Sequence, residues 1–447
     1  MYTMNLTTKR LIRLCVAGIL WAGFLTRGGL PLMAQPTIIP APPQEQPLLI
    51  EGATIHVGNG TVIENGSLRM ENGKISAVGP AGSVSVSGAM VIKAGGKHVY
   101  PGLIACHTIL GLAEIEAVRA TRDYNETGEL NPNVRAIVAY EADSHVPPTV
   151  RSNGVLLAQI VPQGGVISGT SSVVALDAWT WEEAAYQTDG GLWINWPGNS
   201  VDVTANADQR QKQREQVEER LRALTHFMEQ AKAYGELPQP DVKNLRFEAV
   251  KGIFTGEKRL FIRAGRAKDI LAALNWCRTL EVRPVIYGGH EAHLVADFLR
   301  DDQVPVILDD PHALPSRADD DVNLPYKRAA LLKDAGVEFC VSTWGYWQLR
   351  NLPFMAGTAA AWGLTREEAL TAVTLAPARI LGIDATTGSL EVGKDATLFI
   401  SGGDALDMRT NQVEAAFIQG RSIDLDNRQK QLYRKYMGKY GLEAKLP

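Results

Sequence analysis

The chain has 447 residues, of which 45% are hydrophobic and 21% are charged. These proportions are those of an ordinary globular protein, and they exclude a disordered or collagen-like chain. The formal net charge of −4 at pH 7 argues against nucleic acid or an anionic membrane surface as the main partner. Three of the four cysteines follow residue 34 at wide spacings, so we expect neither a disulfide framework nor a zinc site built on paired cysteines.

Residues 1–34 have the pattern of a secretory signal peptide. Basic residues precede an apolar stretch of 12 residues, Leu14–Leu25, which is too short to span a bilayer comfortably, and Ala34 provides a small residue before a cut. The exact cut stays open because Leu32 fits the usual pattern poorly, and the alternative is an uncleaved N-terminal anchor. Cleavage removes four basic residues and no acidic one, which changes the net charge from −4 to −8. We therefore predict an exported protein, periplasmic or secreted, with no membrane span after cleavage.

The segments at the two ends of the remaining chain predict a small all-β unit. Residues 35–46 are rich in proline, as is typical of a linker. Residues 47–99 contain short β-type runs separated by Gly-Asn and Asn-Gly turns, and β character returns in residues 388–425. Because these two segments flank the middle of the chain, we expect them to pair into one composite β-sandwich. Residues 426–447 predict a basic helix or tail.

Strands and helices alternate through residues 100–387. Short continuous apolar runs such as LFIRA and VPVILDD are each followed by a helical pattern, which predicts a parallel sheet covered by helices. The length of this segment suits a TIM-like (β/α)8 barrel, with a doubly wound sheet as the alternative. The predicted fold class is therefore α/β. Residues 206–234 predict a charged amphipathic helix with a solvated face.

Five segments of the sequence resemble one known family. In chain order they are NGKISAVG, VYPGLIACH, LAPARILGID, GSLEVGKDATLFI and QVEAAFIQGRSI. Together they resemble the amidohydrolase superfamily, in its imidazolonepropionase-like branch. The resemblance covers almost all of the chain after residue 34, and it implies a barrel with a metal site joined to a composite β-sandwich. Members of this family hydrolyse C–N bonds of amides, cyclic ureas or imidazolones with one or two divalent metals, whose bound water attacks the carbonyl.

Most of the metal ligands that this resemblance implies are missing from the sequence. The family places a His-x-His pair after the first barrel strand, a carboxylated lysine on the fourth, histidines on the fifth and sixth, and an aspartate on the eighth. His107 matches the first histidine. The remaining positions fall on Ile109, Arg263, Gly288 or Gly289, and Trp344, and no lysine occurs between Lys97 and Lys212. We predict no metal site and no cofactor, and we expect a divalent metal such as zinc only if the site is rebuilt.

Six residues near the predicted strand ends are candidates for the site. The candidate catalytic residues are His107 and Asp309, and the candidate substrate-binding residues are Arg263, His290, His312 and Trp344. Several have a structural alternative. His107 is equally well interpreted as a core histidine, and Arg263 as the salt-bridge partner of Asp309. The sequence DDPH, which contains Asp309 and His312, is also typical of a turn before a proline.

Two further features leave alternatives open. His290 and His293 lie on one helical face, either as a metal chelate or as a solvated pair. Residues 178–197 contain four tryptophans, which form either a platform for a ligand or partner, or a hydrophobic loop packed over the barrel.

Two functions of different class follow from these observations. The first is an exported hydrolase of non-peptide or dipeptide-like C–N bonds, with a degenerate metal site rebuilt around His107, Arg263 and Asp309 or His312. The second is a catalytically inactive pseudo-amidohydrolase that acts as a binding or partner subunit. Both place a small molecule in the barrel mouth. The second also allows a homo- or hetero-oligomer with a related amidohydrolase, and neither involves nucleic acid.

Overall fold

The computed structural model describes residues 38–200, 204–238 and 242–444. The predicted signal peptide lies outside the described residues. Every element named below belongs to one compact unit that begins at Pro40. Within the described ranges, no helix combines the length and the hydropathy that a membrane crossing requires.

The secondary structure alternates between strands and helices. The strands are β1 (Leu48–His56), β2 (Val62–Glu71), β3 (Lys74–Pro80), β4 (Met90–Lys93), β5 (His98–Pro101), β6 (Leu103–Thr108), β7 (Val155–Ile160), β8 (Ile167–Ala175), β9 (Ala185–Asn195), β10 (Arg259–Ala264), β11 (Pro284–Gly288), β12 (Val306–Leu308), β13 (Phe339–Val341), β14 (Leu398–Ser401), β15 (Val413–Ile418) and β16 (Arg421–Ile423). The α-helices are α1 (Val146–Arg151), α2 (Trp181–Ala184), α3 (Ala207–Gly235), α4 (Leu245–Thr255), α5 (Ala267–Leu280), α6 (Ala296–Asp301), α7 (Leu324–Asp334), α8 (Leu352–Ala361), α9 (Arg366–Thr371), α10 (Leu375–Leu381) and α11 (Arg428–Lys439). Short 3-10 turns lie at Arg119–Thr121, Ala136–Ala139, Pro197–Ser200, Ala292–Val295 and Trp347–Asn351.

One sheet is built from both ends of the chain. Its strands follow the order β16-β15-β14-β5-β1-β2-β3, and β4 pairs with β1. The β2–β3 hairpin turns at Asn72 and Gly73, whose φ angles are +51° and +76°, as the Asn-Gly sequence predicts. The N- and C-terminal segments join where β5 pairs antiparallel with β14, with Val99 opposite Ile400. The composite β-sandwich is therefore confirmed.

The second sheet has eight strands in the order β13-β12-β11-β10-β9-β8-β7-β6. Its edges, β6 and β13, lie against each other, because the Ser342 hydroxyl donates to the Cys106 carbonyl and the Thr108 hydroxyl lies 2.5 Å from the Gly345 carbonyl. The edges of an open doubly wound sheet do not meet in this way. The predicted TIM-like barrel is confirmed, and its strands and covering helices share one continuous apolar core.

One barrel strand departs from the expected parallel arrangement. β8 runs antiparallel to β7, with Leu157 opposite Ala175, and antiparallel to β9. The physical reason is the length of the connections. The segments that precede and follow β8 are short and contain only the four-residue helix α2, whereas a parallel crossover needs a dozen or more residues. Antiparallel pairing is the arrangement that such short connections permit.

Candidate functional site

His107 lies near the end of β6, the first barrel strand, in a strained backbone conformation. Its φ is +54°, in the left-handed region that residues other than glycine adopt rarely and mostly at special sites. Its side chain is buried, with the residue 1% exposed. The His107 amide donates to Gln159 Oε1 at 3.3 Å, and Gln159 Nε2 donates to Ser171 Oγ at 3.0 Å. These hydrogen bonds connect the end of β6 to β7 and β8.

Arg263, at the end of β10, makes direct contact with His107. Its Nη2 lies 2.5 Å from His107 Nε2 and donates to Gln163 Oε1 at 2.8 Å. A guanidinium can only donate, so Nε2 of His107 is the acceptor and the proton of the neutral ring lies on Nδ1. Burial and the Arg263 charge both hold the pKa of His107 well below its usual range. The lone pair of His107 that a metal would use is thus occupied by an arginine.

Aromatic side chains surround this pair. The Tyr287 ring stacks on the His107 ring with centroids 3.8 Å apart, and Trp193 lies 4.7 Å from it at a tilt. The Arg263 guanidinium carbon lies 5.4 Å from the Tyr287 ring centroid, within the range of a cation–π interaction. Burial, with Asp309 nearby, raises the pKa of the Tyr287 hydroxyl well above its usual value. Aromatic rings therefore enclose the contact between His107 and the partly buried Arg263.

Tyr287 and Gln163 were not predicted as site residues, and Trp193 was predicted only as one of the four tryptophans of a possible ligand platform. Tyr287 pairs in register with Arg263 across β10 and β11, so the two side chains share a face of the sheet. The expected position on this strand was Gly288 or Gly289, which is one or two residues further on. The signal available in the sequence was the tyrosine that ends the apolar run VIYGG.

Two buried ring nitrogens at this site have no hydrogen-bond partner within the part of the chain that the structure describes. They are His107 Nδ1 and Trp193 Nε1. Buried polar groups are normally paired, and an unpaired one costs free energy. Both nitrogens can donate, so a ligand that reaches them must offer acceptor oxygens, whereas the Tyr287 hydroxyl interacts with Asp309.

Asp309 and His290 form a second pair at the same end of the barrel. His290 Nε2 lies 2.8 Å from Asp309 Oδ1, and the side chains are 39% and 15% exposed. Asp309 directly follows β12, and the next residue, Asp310, has a φ of +40°. Arg328 of α7 is 4% exposed, and burial lowers the pKa of its guanidinium while Asp309 and Asp310 oppose that shift. One buried and one partly buried arginine, Arg328 and Arg263, thus interact electrostatically with one carboxylate.

The other candidates lie apart from His107. His312 Nε2 is 2.7 Å from the Thr358 hydroxyl, and Trp344 is 50% exposed. No hydrogen bond or ring contact joins either side chain to His107 in the described ranges. Burial lowers the pKa of His293, and its neighbour His290 is paired with Asp309 instead.

The residues at the barrel mouth do not fit the divalent metal that the family resemblance implies. The described residues contain no group of three His, Cys, Asp or Glu side chains that could hold a metal ion. Arg263 places a fixed cation on the one matching imidazole. Gly288 has a φ of +98°, and a Cβ at Gly289 would lie 2.6 Å from Val306 Cγ1, so a histidine at either position would be strained. At these two positions the backbone conformation, as well as the residue type, disfavours a metal ligand.

Comparison with known proteins supports a single family. The model of the amidohydrolase family matches residues 325–423. The matched segment is about a fifth of the chain, so the likeness to this family in sequence is shown for that segment. A 5-methylthioadenosine/S-adenosylhomocysteine deaminase of Desulforamulus reducens is 49% identical over 65 residues, which are 14% of this chain and 15% of the deaminase.

Solved structures of the superfamily share the fold over most of the chain. An amidohydrolase from Thermotoga maritima MSB8 superimposes with a TM-score of 0.73 at 23% identity, covering 84% of this chain and 99% of that protein. A prolidase complexed with N-methylphosphonate-L-proline has a TM-score of 0.52 at 16% identity, covering 85% and 99%. At these identities the likeness extends to the fold of the superfamily and leaves the chemistry of this chain to its own residues.

Proposed function

We propose that this protein is an exported amidohydrolase-superfamily member that binds a small carboxylate-bearing molecule and does not use a metal-bound water at His107. The observation that carries the proposal is the 2.5 Å contact between Arg263 Nη2 and His107 Nε2. A metal and a guanidinium cannot both use the same lone pair, and their positive charges repel. The barrel is then a binding scaffold whose mouth keeps the shape of an active site.

The chemistry of the mouth favours an anionic ligand. Arg328 is buried and Arg263 is partly buried, and arginine binds carboxylates through paired N–H donors. Trp193 Nε1 and His107 Nδ1 add ring N–H donors that have no partner within the described ranges. The prolidase with the same fold was solved with a derivative of L-proline, which supports an amino-acid derivative as the class of ligand. We expect the carboxylate to contact the arginines and the apolar part to lie on the aromatic rings.

Calorimetric titration of the protein after dialysis against a chelator tests this proposal. The panel contains dipeptides, N-acyl amino acids and cyclic amides, each compared with its uncharged carboxamide analogue. We expect at least one carboxylate to bind without added metal, and its carboxamide to bind roughly 30-fold or more weakly, because an unpaired buried charge costs 2–5 kcal/mol. Arg263→Met should show the same loss of affinity for the carboxylate. Binding that requires zinc or manganese contradicts the proposal.

A C–N hydrolase with a rebuilt site is the second candidate, favoured by the Asp309–His290 pair. A carboxylate 2.8 Å from an imidazole nitrogen can orient that ring as a general base for water. This candidate predicts turnover of an amide on the same panel, and a loss of about 100-fold or more in kcat for Asp309→Asn. Absence of turnover across the panel excludes it. The protein is then best described as a binding or partner subunit, alone or with a related amidohydrolase.

A further inference from the structure

Two of the three cysteines in the described ranges lie together at the seam of the barrel. Cys106 is in β6 and Cys340 is in β13, and their Sγ atoms are 3.9 Å apart although 234 residues separate them in the chain. Both residues are 0% exposed and are free thiols in this structure. Strand pairing joins β6 to β7 and β13 to β12, so the two cysteines face each other across the two edges of the sheet.

We propose that Cys106 and Cys340 form a disulfide bond in the exported protein, which covalently closes the barrel between its first and last strands. The inference rests on the predicted export and not on the proposed function. A disulfide has an S–S length of about 2.05 Å, so small rotations about the side-chain bonds must bring the sulfur atoms roughly 2 Å closer. Compartments outside the cytoplasm are oxidising enough to form and keep such bonds.

The reaction is a thiol–disulfide exchange. Both Sγ–H bonds break and one Sγ–Sγ bond forms, and the two electrons and two protons pass to a disulfide oxidant such as oxidised glutathione, which becomes two thiols. Burial and the neighbouring Cys106 raise the pKa of the Cys340 thiol well above its usual value. The folded protein therefore offers little thiolate to an oxidant, and the bond forms while the barrel is still closing.

The location gives this bond a defined effect. The seam is held by the Ser342 hydroxyl on the Cys106 carbonyl and by the Thr108 hydroxyl on the Gly345 carbonyl. The adjacent residue His107 carries the strained backbone of the site. A covalent link at Cys106 holds β6 against β13. It also restrains the end of β6, where His107 lies.

Mass spectrometry of the protein expressed into an oxidising compartment tests the proposal. The sample is alkylated under denaturing conditions without reductant and digested. We expect a linked peptide pair containing Cys106 and Cys340, an intact mass about 2 Da below the reduced chain, and alkylation at Cys277 alone. Alkylation of all three cysteines overturns the proposal.

Cys277 supplies a matched control, because it is buried in α5 away from the other two. Reduction should lower the Tm of the wild type and of Cys277→Ser by on the order of 5 °C, since the bond closes a long loop. It should leave the Tm of Cys340→Ala unchanged. If Cys340→Ala does not fold, the peptide map of the wild type and the effect of reductant on the Tm of Cys277→Ser still test the proposal. Equal Tm values with and without reductant for Cys277→Ser overturn the proposal.

Discussion

Replacement of Asp177 by asparagine is expected to destabilise the protein by about 3–5 kcal/mol, because it leaves buried arginines without their counter-charge. The Asp177 side chain is fully buried and contacts Arg151 Nη1 at 2.5 Å and Arg421 Nη1 at 3.1 Å. It also accepts the Ala41 amide at 2.9 Å. These partners come from the N-terminal segment, the barrel and β16 of the sandwich sheet, so one carboxylate links three parts of the chain.

Urea unfolding measures this effect. The matched control is Asp319→Asn, which removes an aspartate that is 71% exposed and paired with Arg317; exposed pairs contribute about 1 kcal/mol or less. We expect a large fall in the midpoint for Asp177→Asn and a small one for the control. Similar midpoints for the two variants would show that the buried ion pair does not hold these segments together.

Replacement of Arg263 by methionine is expected to reduce the loss of stability in acid. The folded-state pKa of His107 lies well below the unfolded value of 6.5, through burial and then the charge of Arg263. Between these two pKa values the unfolded chain binds a proton that the folded chain does not bind. The free energy of unfolding therefore falls as the pH drops below 6.5. The slope from this one group is at most about 1.4 kcal/mol per pH unit. Methionine removes the second cause and leaves burial, so the folded-state pKa rises and the total stability lost to this proton at low pH becomes smaller without vanishing.

Unfolding free energies of the wild type, Arg263→Met and His107→Phe from about pH 7.5 to about pH 3 test this prediction. His107→Phe keeps an aromatic ring on Tyr287 and removes the titrating group, so it should lose the least stability. Burial also lowers the pKa of three other histidines, His98, His293 and His312, and their contribution is common to all three proteins. Equal losses of stability at the acid end of this range in the wild type and Arg263→Met would contradict the assigned role of Arg263.

The sequence was sufficient to predict the barrel and the sandwich, because apolar runs and Asn-Gly turns are local signals. The direction of β8 was not predicted, since its run of apolar and small residues is equally consistent with either direction. Only the short connections on both sides explain its antiparallel pairing. The expectation against disulfides rested on an odd cysteine count, whereas the proximity of Cys106 and Cys340 arises from closure of the sheet.

The site was predicted in part. His107 and Arg263 were identified individually from their strand ends, but they are 156 residues apart in sequence, and their contact depends on the register of distant strands. Tyr287 was missed for the same reason, because a shift of one residue moves a side chain to the other face of a strand. The roles of Asp309, His290, His312 and Trp344 stay predictions, with the pairing of His290 and Asp309 as the structural basis for further tests.

Elemental analysis of the purified protein, expressed with zinc and manganese supplied, tests the central claim most directly. If Arg263 has replaced the metal at His107, neither metal should be present in stoichiometric amount, and His107→Phe should have the same content as the wild type. One equivalent of zinc or manganese per chain that is lost in His107→Phe would contradict the account.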